Sequence, residues 1–156
     1  VGGTAEICVL GIPAGVGNPF FDSVESVLAH ILFSVPAIKG LEFGSGFGIA
    51  EMLGSEANDS YYYDGDQIKT RTNHNGGILG GITDGMPIIY KVAIKPPASI
   101  TKVQQTINIE DKTAAELSVE GRHDPIIVPR AIPVLEAVTA IAILDLLLDS
   151  KFYKYD

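Results

Sequence analysis

The longest apolar stretch of the chain spans residues 133–149 and contains no glycine and, after Pro133, no proline. Its length predicts a helix of about 25 Å. Pro133 suits the first turn of that helix, where a backbone N–H has no intrahelical partner. Because apolar side chains cover most of the circumference, we expect the helix to be buried on more than one side. These apolar positions are Val134, Leu135, Val138, Ile141, Ala142, Ile143, Leu144, Leu146, Leu147 and Leu148.

The segment immediately before this helix, GRHDP at residues 121–125, sets Arg122 and Asp124 two residues apart. A rigid helix that starts a few residues later would hold both side chains in fixed positions. The sequence therefore predicts that charged, ligand-facing chemistry is attached directly to the core.

Composition narrows the kinds of ligand. The chain has 156 residues, of which 46% are hydrophobic, and this predicts a folded protein with a core of its own. The net charge of −8 argues against a general nucleic-acid surface, so an anionic ligand must be met by a few of the 11 lysines and arginines. Cys8 is the single cysteine, which excludes an internal disulfide and a zinc cluster and favours a reducing cytoplasm.

Two further expectations concern the chain's start and its apolar helix. The sequence opens on Val1 with neither an initiator methionine nor a secretory signal, so we expect a fragment of a longer protein. Glu136 and Asp145 interrupt the apolar helix, so no membrane span is expected.

Strands and helices are mixed along the chain without a regular alternation, which indicates an α+β fold. A helix is predicted over residues 21–33, with Asp22 or Ser23 as its N-cap and Pro36 beyond its end. Strands are predicted over residues 6–12, 37–43, 86–94 and 103–109. Residues 54–75 are predicted to form an exposed loop or hairpin, and residues 110–117 are ambiguous.

Three segments rich in glycine or proline are candidate ligand loops. Residues 44–48, GSGFG, resemble a dinucleotide fingerprint, but the spacing is wrong and no acidic residue follows at the expected distance. The glycines of residues 76–81 would let backbone approach a ligand, although a tight turn packed on the core is favoured. Residues 95–99, KPPAS, suit a phosphate, the alternative being a solvated loop at a strand end. The spacing of His30, His74 and His123 matches no metal site.

Five segments together resemble the chorismate synthase family, in the order in which the family has them. They are residues 11–15 (GIPAG), 34–44 (SVPAIKGLEFG), 72–87 (TNHNGGILGGITDGMP), 95–100 (KPPASI) and 121–137 (GRHDPIIVPRAIPVLEA). The resemblance covers the chain up to about Leu148, and the combination is highly specific.

This resemblance implies a fold, an activity and partners. The fold would be one half of a β-α-β sandwich, in which an antiparallel sheet packs on helices. The activity would be the 1,4-anti elimination of phosphate from 5-enolpyruvylshikimate 3-phosphate to give chorismate. It would need reduced FMN without net redox change, with NADPH as a candidate reductant. Family members assemble as homotetramers, and a cytoplasmic enzyme is implied.

The resemblance also implies roles for individual residues. Asp124 matches the aspartate that takes and returns the flavin N5 proton. Two departures from the family pattern are Pro36, where many relatives have Asn, and the pair Pro97 and Ala98 within the phosphate loop. The positions that match flavin contacts are Pro36, Ala37, Gly80, Lys95, Pro96, Pro97, Ala98, Ser99 and Arg122.

Three functional interpretations remain open at this point. The chain is part of an FMN-dependent lyase, a non-catalytic half used in packing or oligomerisation, or a small nucleotide-binding module of another class, which the motif set makes improbable. The family's N-terminal half, with its proton-donating histidines and most phosphate-binding arginines, has no counterpart here. We therefore expect the chain alone to be inactive and to bind FMN weakly.

Overall fold

The computed structural model describes residues 1–152. In chain order the elements are β1 (Gly3–Val9), α1 (Val24–Ser34), β2 (Ile38–Phe43), a 3₁₀ helix (Gly46–Glu51), α2 (Gly54–Ala57), β3 (Tyr61–Asp64), β4 (Gln67–Thr70), β5 (Ile78–Leu79), β6 (Ile82–Thr83), β7 (Ile88–Ile94), β8 (Gln104–Asn108), β9 (Thr113–Leu117) and α3 (Val128–Phe152). Antiparallel strands packed on helices confirm the predicted α+β class.

A three-stranded antiparallel sheet in the order β1-β7-β2 forms one layer, and α1 and α3 pack on one of its faces. The central strand β7 alternates strictly, because Ile88, Tyr90, Val92 and Ile94 are buried while Lys91 is exposed. This alternation is the period of a strand with one covered face. The predicted strand over residues 86–94 is thus present and central.

The first helix follows its local sequence signals. Ser23 is the N-cap, and its side-chain oxygen accepts a hydrogen bond from the Ser26 backbone N–H at 3.1 Å. Val24, Leu28 and Leu32 recur at helical spacing and are fully buried. The helix ends at Ser34 because the following Pro36 biases Val35 towards an extended conformation.

The long helix α3 begins five residues before the predicted start. The backbone N–H groups of Arg130 and Ala131 both donate to the Ile127 carbonyl at 3.1 Å and close the first turn there. Pro129, rather than Pro133, therefore occupies the first turn, and Pro133 lies inside the helix. The expected first-turn role of Pro133 is wrong, and the helix forgoes the one backbone hydrogen bond that a proline cannot donate.

Only one face of α3 is covered by the rest of the described chain, so the expectation of burial on several sides is wrong here. The sheet and α1 cover one stripe at helical spacing, while Ile141 is 59% exposed and Leu144 57% exposed. A helix with an apolar but uncovered face exposes surface that proteins usually bury. The covered stripe consists of Leu135, Thr139, Ala142, Ile143 and Leu146.

By length and composition alone, residues 128–150 would suffice to cross a membrane, with a mean hydropathy of 2.2. Glu136 and Asp145 therefore do not by themselves exclude a membrane span, contrary to the expectation from sequence. The core helix of a folded domain satisfies the same criterion, and α3 contributes its covered stripe to the core beneath the sheet.

Three hairpins lie outside the main sheet. β3 and β4 pair through a turn at Gly65, which fits the hairpin alternative predicted within residues 54–75. β5 and β6 form a very short pair, and β8 pairs with β9. The ambiguous residues 110–117 thus contain the return strand of a hairpin whose first strand was predicted.

Candidate functional site

Three distant segments meet where β7 ends and β1 and β2 begin; we call this region, residues 36–39, 95–99 and 122–130, the Lys95 end. The Lys95 backbone N–H donates to the Ala37 carbonyl at 2.9 Å, which joins the first two segments. The Val1 backbone nitrogen donates to the Pro125 carbonyl at 2.7 Å and ties the third segment to the start of β1. The fold therefore gathers most of the predicted site residues.

Two backbone irregularities lie side by side at this end. Ala37 has φ +75°, in the left-handed region that residues other than glycine rarely occupy. Two residues later, the register of β2 against β7 shifts between Ile38 and Gly40, so Lys39 forms a β-bulge. Bulges and strained residues are over-represented beside ligand sites, where they redirect side chains.

The loop at residues 95–99 presents hydrogen-bond donors to solvent. Lys95, Ala98 and Ser99 are exposed, and two prolines restrict the backbone between them. Within residues 1–152, neither the Ala98 nor the Ser99 backbone N–H donates to another backbone carbonyl. An ammonium and two unpaired amides are donors that suit a phosphate group, as the sequence predicts for residues 95–99.

Asp124 is oriented by a partner that sequence reasoning did not assign to it. Its Oδ2 accepts from Arg130 Nη1 at 2.7 Å, with the Asp124 side chain 40% and that of Arg130 77% exposed. Exposed pairs of this kind contribute roughly 0–1 kcal/mol to stability, so the contact orients the carboxylate more than it stabilises the fold. In the described chain the Arg122 side chain is exposed.

Gly80 is the predicted contact that the fold does not bring to the Lys95 end. It occupies the turn between β5 and β6 with φ +62°, beside the start of α1, where the Val24 N–H donates to the Gly81 carbonyl at 3.0 Å. The seven residues of β7 separate the two ends by about 23 Å. The glycine cluster therefore forms a tight turn at the opposite end of the sheet.

Asp59 organises that opposite end and was missed by sequence reasoning. The carboxylate is 6% exposed and accepts hydrogen bonds from the backbone N–H groups of His74 and Asn75, both at 2.8 Å. The Thr72 hydroxyl and the Asn75 amide donate to it as well, at 2.7 and 2.8 Å. Burial by itself raises the pKa of Asp59, but the hydrogen bonds together hold that pKa below its usual value of 3.8. No local sequence pattern predicts that Asp59 accepts these hydrogen bonds, because every donor lies 13 or more residues away in the chain.

His74 is held in the same loop. Its Nδ1 lies 2.8 Å from the Ser45 hydroxyl, and its carbonyl accepts from the Ser45 backbone N–H at 2.8 Å. These contacts connect residues 72–77 to the turn after β2. The segment TNHNGG is therefore fixed in place by Asp59 on one side and Ser45 on the other.

Comparison with known proteins identifies relatives along nearly the whole chain. The chorismate synthase family model matches residues 1–148. Chorismate synthase of Methanococcus aeolicus is 53% identical over 97% of this chain, and that of Lachnoclostridium phytofermentans is 52% identical over 99%. A solved structure titled "Crystal Structure of Chorismate Synthase" is 32% identical, covers 96% of this chain and superimposes with a TM-score of 0.75.

An antiparallel sheet packed on two helices defines the chain as an α+β protein. The chain belongs to the chorismate synthase family. It spans about two fifths of the length of these relatives, 41% of the Methanococcus aeolicus protein and 42% of the Lachnoclostridium phytofermentans protein.

Proposed function

We propose that this chain is the C-terminal part of a chorismate synthase, a lyase of aromatic amino acid biosynthesis. The whole enzyme would convert 5-enolpyruvylshikimate 3-phosphate to chorismate and phosphate. One observation carries the proposal for this chain: residues 36–37, 95–99 and 124, far apart in sequence, converge at the Lys95 end.

The elimination has two requirements that residues of this chain can meet. The C–O bond to phosphate breaks with its electron pair on the leaving group, whose charge needs cations and N–H donors. A ring C–H also breaks, and a positioned base must handle the proton. Bound reduced FMN would supply electron density during the reaction and recover it by the end.

The phosphate loop is suited to hold the phosphate group of the cofactor. Lys95 supplies a positive charge, and the amides of Ala98 and Ser99 supply directional donors. Because the chain carries a net charge of −8, an anion is attracted only where cations are concentrated, as Lys95 and Arg122 are at this end. In this proposed cofactor site, Pro36, Pro96 and Pro97 make packing contacts with the flavin, and Arg122 supplies a further positive charge.

Asp124 is suited to move a proton. Arg130 engages only Oδ2, and Oδ1 accepts no hydrogen bond within the part of the chain that the structure describes. One carboxylate oxygen thus fixes the orientation while the other stays accessible to a proton donor.

A second candidate function, packing or oligomerisation without catalysis, is favoured by the uncovered face of α3. With α1 it forms an open apolar groove of about 980 Å³, lined by Val27, Ile31, Ile141, Leu144 and Leu148 among others. We propose that the rest of the enzyme covers this groove and that the enzyme self-associates, as the family resemblance implies.

The lone Cys8 suits the cytoplasm, where NADPH is a candidate source of reducing equivalents.

The test is Asp124→Ala in the full-length enzyme. Turnover should fall roughly 10²-fold or more because the proton loses its acceptor. FMN affinity, measured by fluorescence titration, should change little, since the phosphate loop is intact. Asp149→Ala, an exposed aspartate near the end of α3, serves as the matched control. An unaltered kcat for Asp124→Ala contradicts the assignment.

A further inference from the structure

The lysines of the main sheet divide into two electrostatic settings. Lys91, at the centre of the sheet, is bracketed by carboxylates on both neighbouring strands, Glu6 at 3.8 Å and Glu42 at 3.7 Å. Within residues 1–152, Lys39 and Lys95 form no ion pair with a carboxylate. The charge of Lys91 at the centre of the sheet is therefore neutralised, whereas, among the described residues, the charges of Lys39 and Lys95 remain unpaired at the Lys95 end.

The bulge in β2 accounts for the position of Lys39. Ile38 is buried opposite Ile94, and Gly40 lies opposite Ala93, where a Cβ would come within 3.2 Å of the Ala93 Cβ. The extra residue between them has no partner in the ladder, and Lys39 is exposed. A regular strand would give this position a cross-strand partner, so the bulge gives the lysine a direction that a regular ladder would not.

Lys39 and Lys95 are brought together by the backbone rather than by chance exposure. Ala37, two residues before Lys39, accepts the hydrogen bond of the Lys95 N–H at 2.9 Å. Ala37 is also held at φ +75°, so the turn that leads into the bulge is strained. Two like charges held at neighbouring strand ends repel each other, and such an arrangement is favourable when an anion lies between them.

We propose that Lys39 is an anion-binding residue that acts with Lys95 on a phosphate monoester at the Lys95 end. The inference rests on the proposed function, because that function supplies two phosphate monoesters, FMN and 5-enolpyruvylshikimate 3-phosphate. Lys39 contributes a second positive charge from the bulge, on the strand that neighbours the start of residues 95–99. It carries no proton in the reaction and acts by binding.

The experiment measures ligand affinity of the full-length enzyme carrying Lys39→Gln. Titrations use FMN, riboflavin, which lacks the phosphate, and 5-enolpyruvylshikimate 3-phosphate added to the oxidised FMN complex. Loss of one charged hydrogen bond should weaken binding of one phosphate ligand roughly tenfold. A weaker affinity for FMN with unchanged riboflavin affinity places Lys39 on the cofactor phosphate. A weaker affinity for the shikimate ester alone places it on the substrate phosphate.

Two further variants separate binding from structure and from general charge. Lys39→Arg keeps the positive charge and should retain most of the affinity for the phosphate ligand. Only Lys39→Gln should show a shallower dependence of that affinity on salt concentration. Lys112→Gln removes the same charge at the tip of the β8–β9 hairpin and should leave all three affinities unchanged. Equal losses in Lys112→Gln, or unchanged affinities in Lys39→Gln, overturn the inference. A wild-type enzyme that fails to bind FMN refutes the proposed function instead.

Discussion

At the scale of single residues, Asp59 shows how a buried charge becomes a structural centre. Its two oxygens accept four hydrogen bonds from Thr72, His74 and Asn75. Hydrogen bonds to a charged group contribute roughly 1.5–3 kcal/mol each, and leaving a buried donor without a partner costs a similar amount. The Asp59 carboxylate therefore fixes the loop at residues 72–75.

Asp59→Asn should destabilise the chain by on the order of 2–3 kcal/mol at pH 7, because the new amide N–H₂ would face donors of Asn75. The pKa of Asp59 is lowered in the folded state, so its contribution is fully present above the unfolded value of 3.8. It is lost as the pH falls through the folded-state pKa, and the difference between variant and wild type should narrow there. Urea unfolding between pH 7 and pH 3 measures this, with Asp66→Asn on the exposed hairpin turn as control. A difference that stays constant across this range would contradict the linkage.

At the scale of elements, α3 combines one buried and one uncovered apolar face. Leu146 is 4% exposed beneath the sheet, whereas Leu144, two residues earlier, is 57% exposed. Two leucines in the same helix thus lie in different environments. Because their helix propensities are equal, their contributions to stability differ through burial alone.

Leu146→Ala should destabilise the chain by roughly 2–5 kcal/mol, since it removes buried methyl groups and leaves a cavity. Leu144→Ala should change the unfolding free energy by about 0.5 kcal/mol or less in this chain, because the site is exposed. Chemical denaturation of the two variants provides the comparison. Equal losses would show that the exposed face of α3 is covered in solution. In the full-length enzyme we expect the Leu144→Ala loss to grow, because the uncovered face would then be packed.

At the scale of the whole molecule, the Lys95 end provides only part of what the proposed phosphate elimination needs. The predicted contact Gly80 lies at the opposite end of the sheet, and the donor loop at residues 95–99 is open to solvent. Electrostatic stabilisation of a leaving group depends on exclusion of water, which an open loop does not provide.

The chain of 156 residues alone should release no phosphate from 5-enolpyruvylshikimate 3-phosphate and should bind FMN far more weakly than the full-length enzyme. Phosphate release under reducing conditions and a flavin titration of the isolated chain measure both properties. The full-length protein, assayed in parallel, is the positive control. Turnover by the chain alone, or micromolar flavin binding, would show that it holds a complete site.

The sequence by itself determined the local elements of this protein. Ser23 caps α1, Pro36 limits its C-terminal end, and the alternation from Ile88 to Ile94 specifies a strand covered on one face. Each of these signals acts between residues close in the chain, so no tertiary information is needed. Three of the five family motifs, at residues 34–44, 95–100 and 121–137, likewise mark the segments that meet at the Lys95 end.

Only the tertiary structure decided which faces are covered and which groups become partners. The face of α3 around Leu144 is also apolar, and it differs from the covered stripe only because the sheet and α1 do not pack on it. The donors that bond to Asp59 lie in a loop far away in sequence, and the bulge at Lys39 exists only because β2 pairs with the distant strand β7. The spacing of apolar residues predicts helices and strands because it depends on residues that are close in the chain. Burial and hydrogen-bond partners cannot be predicted in this way, because they depend on segments that only folding brings together.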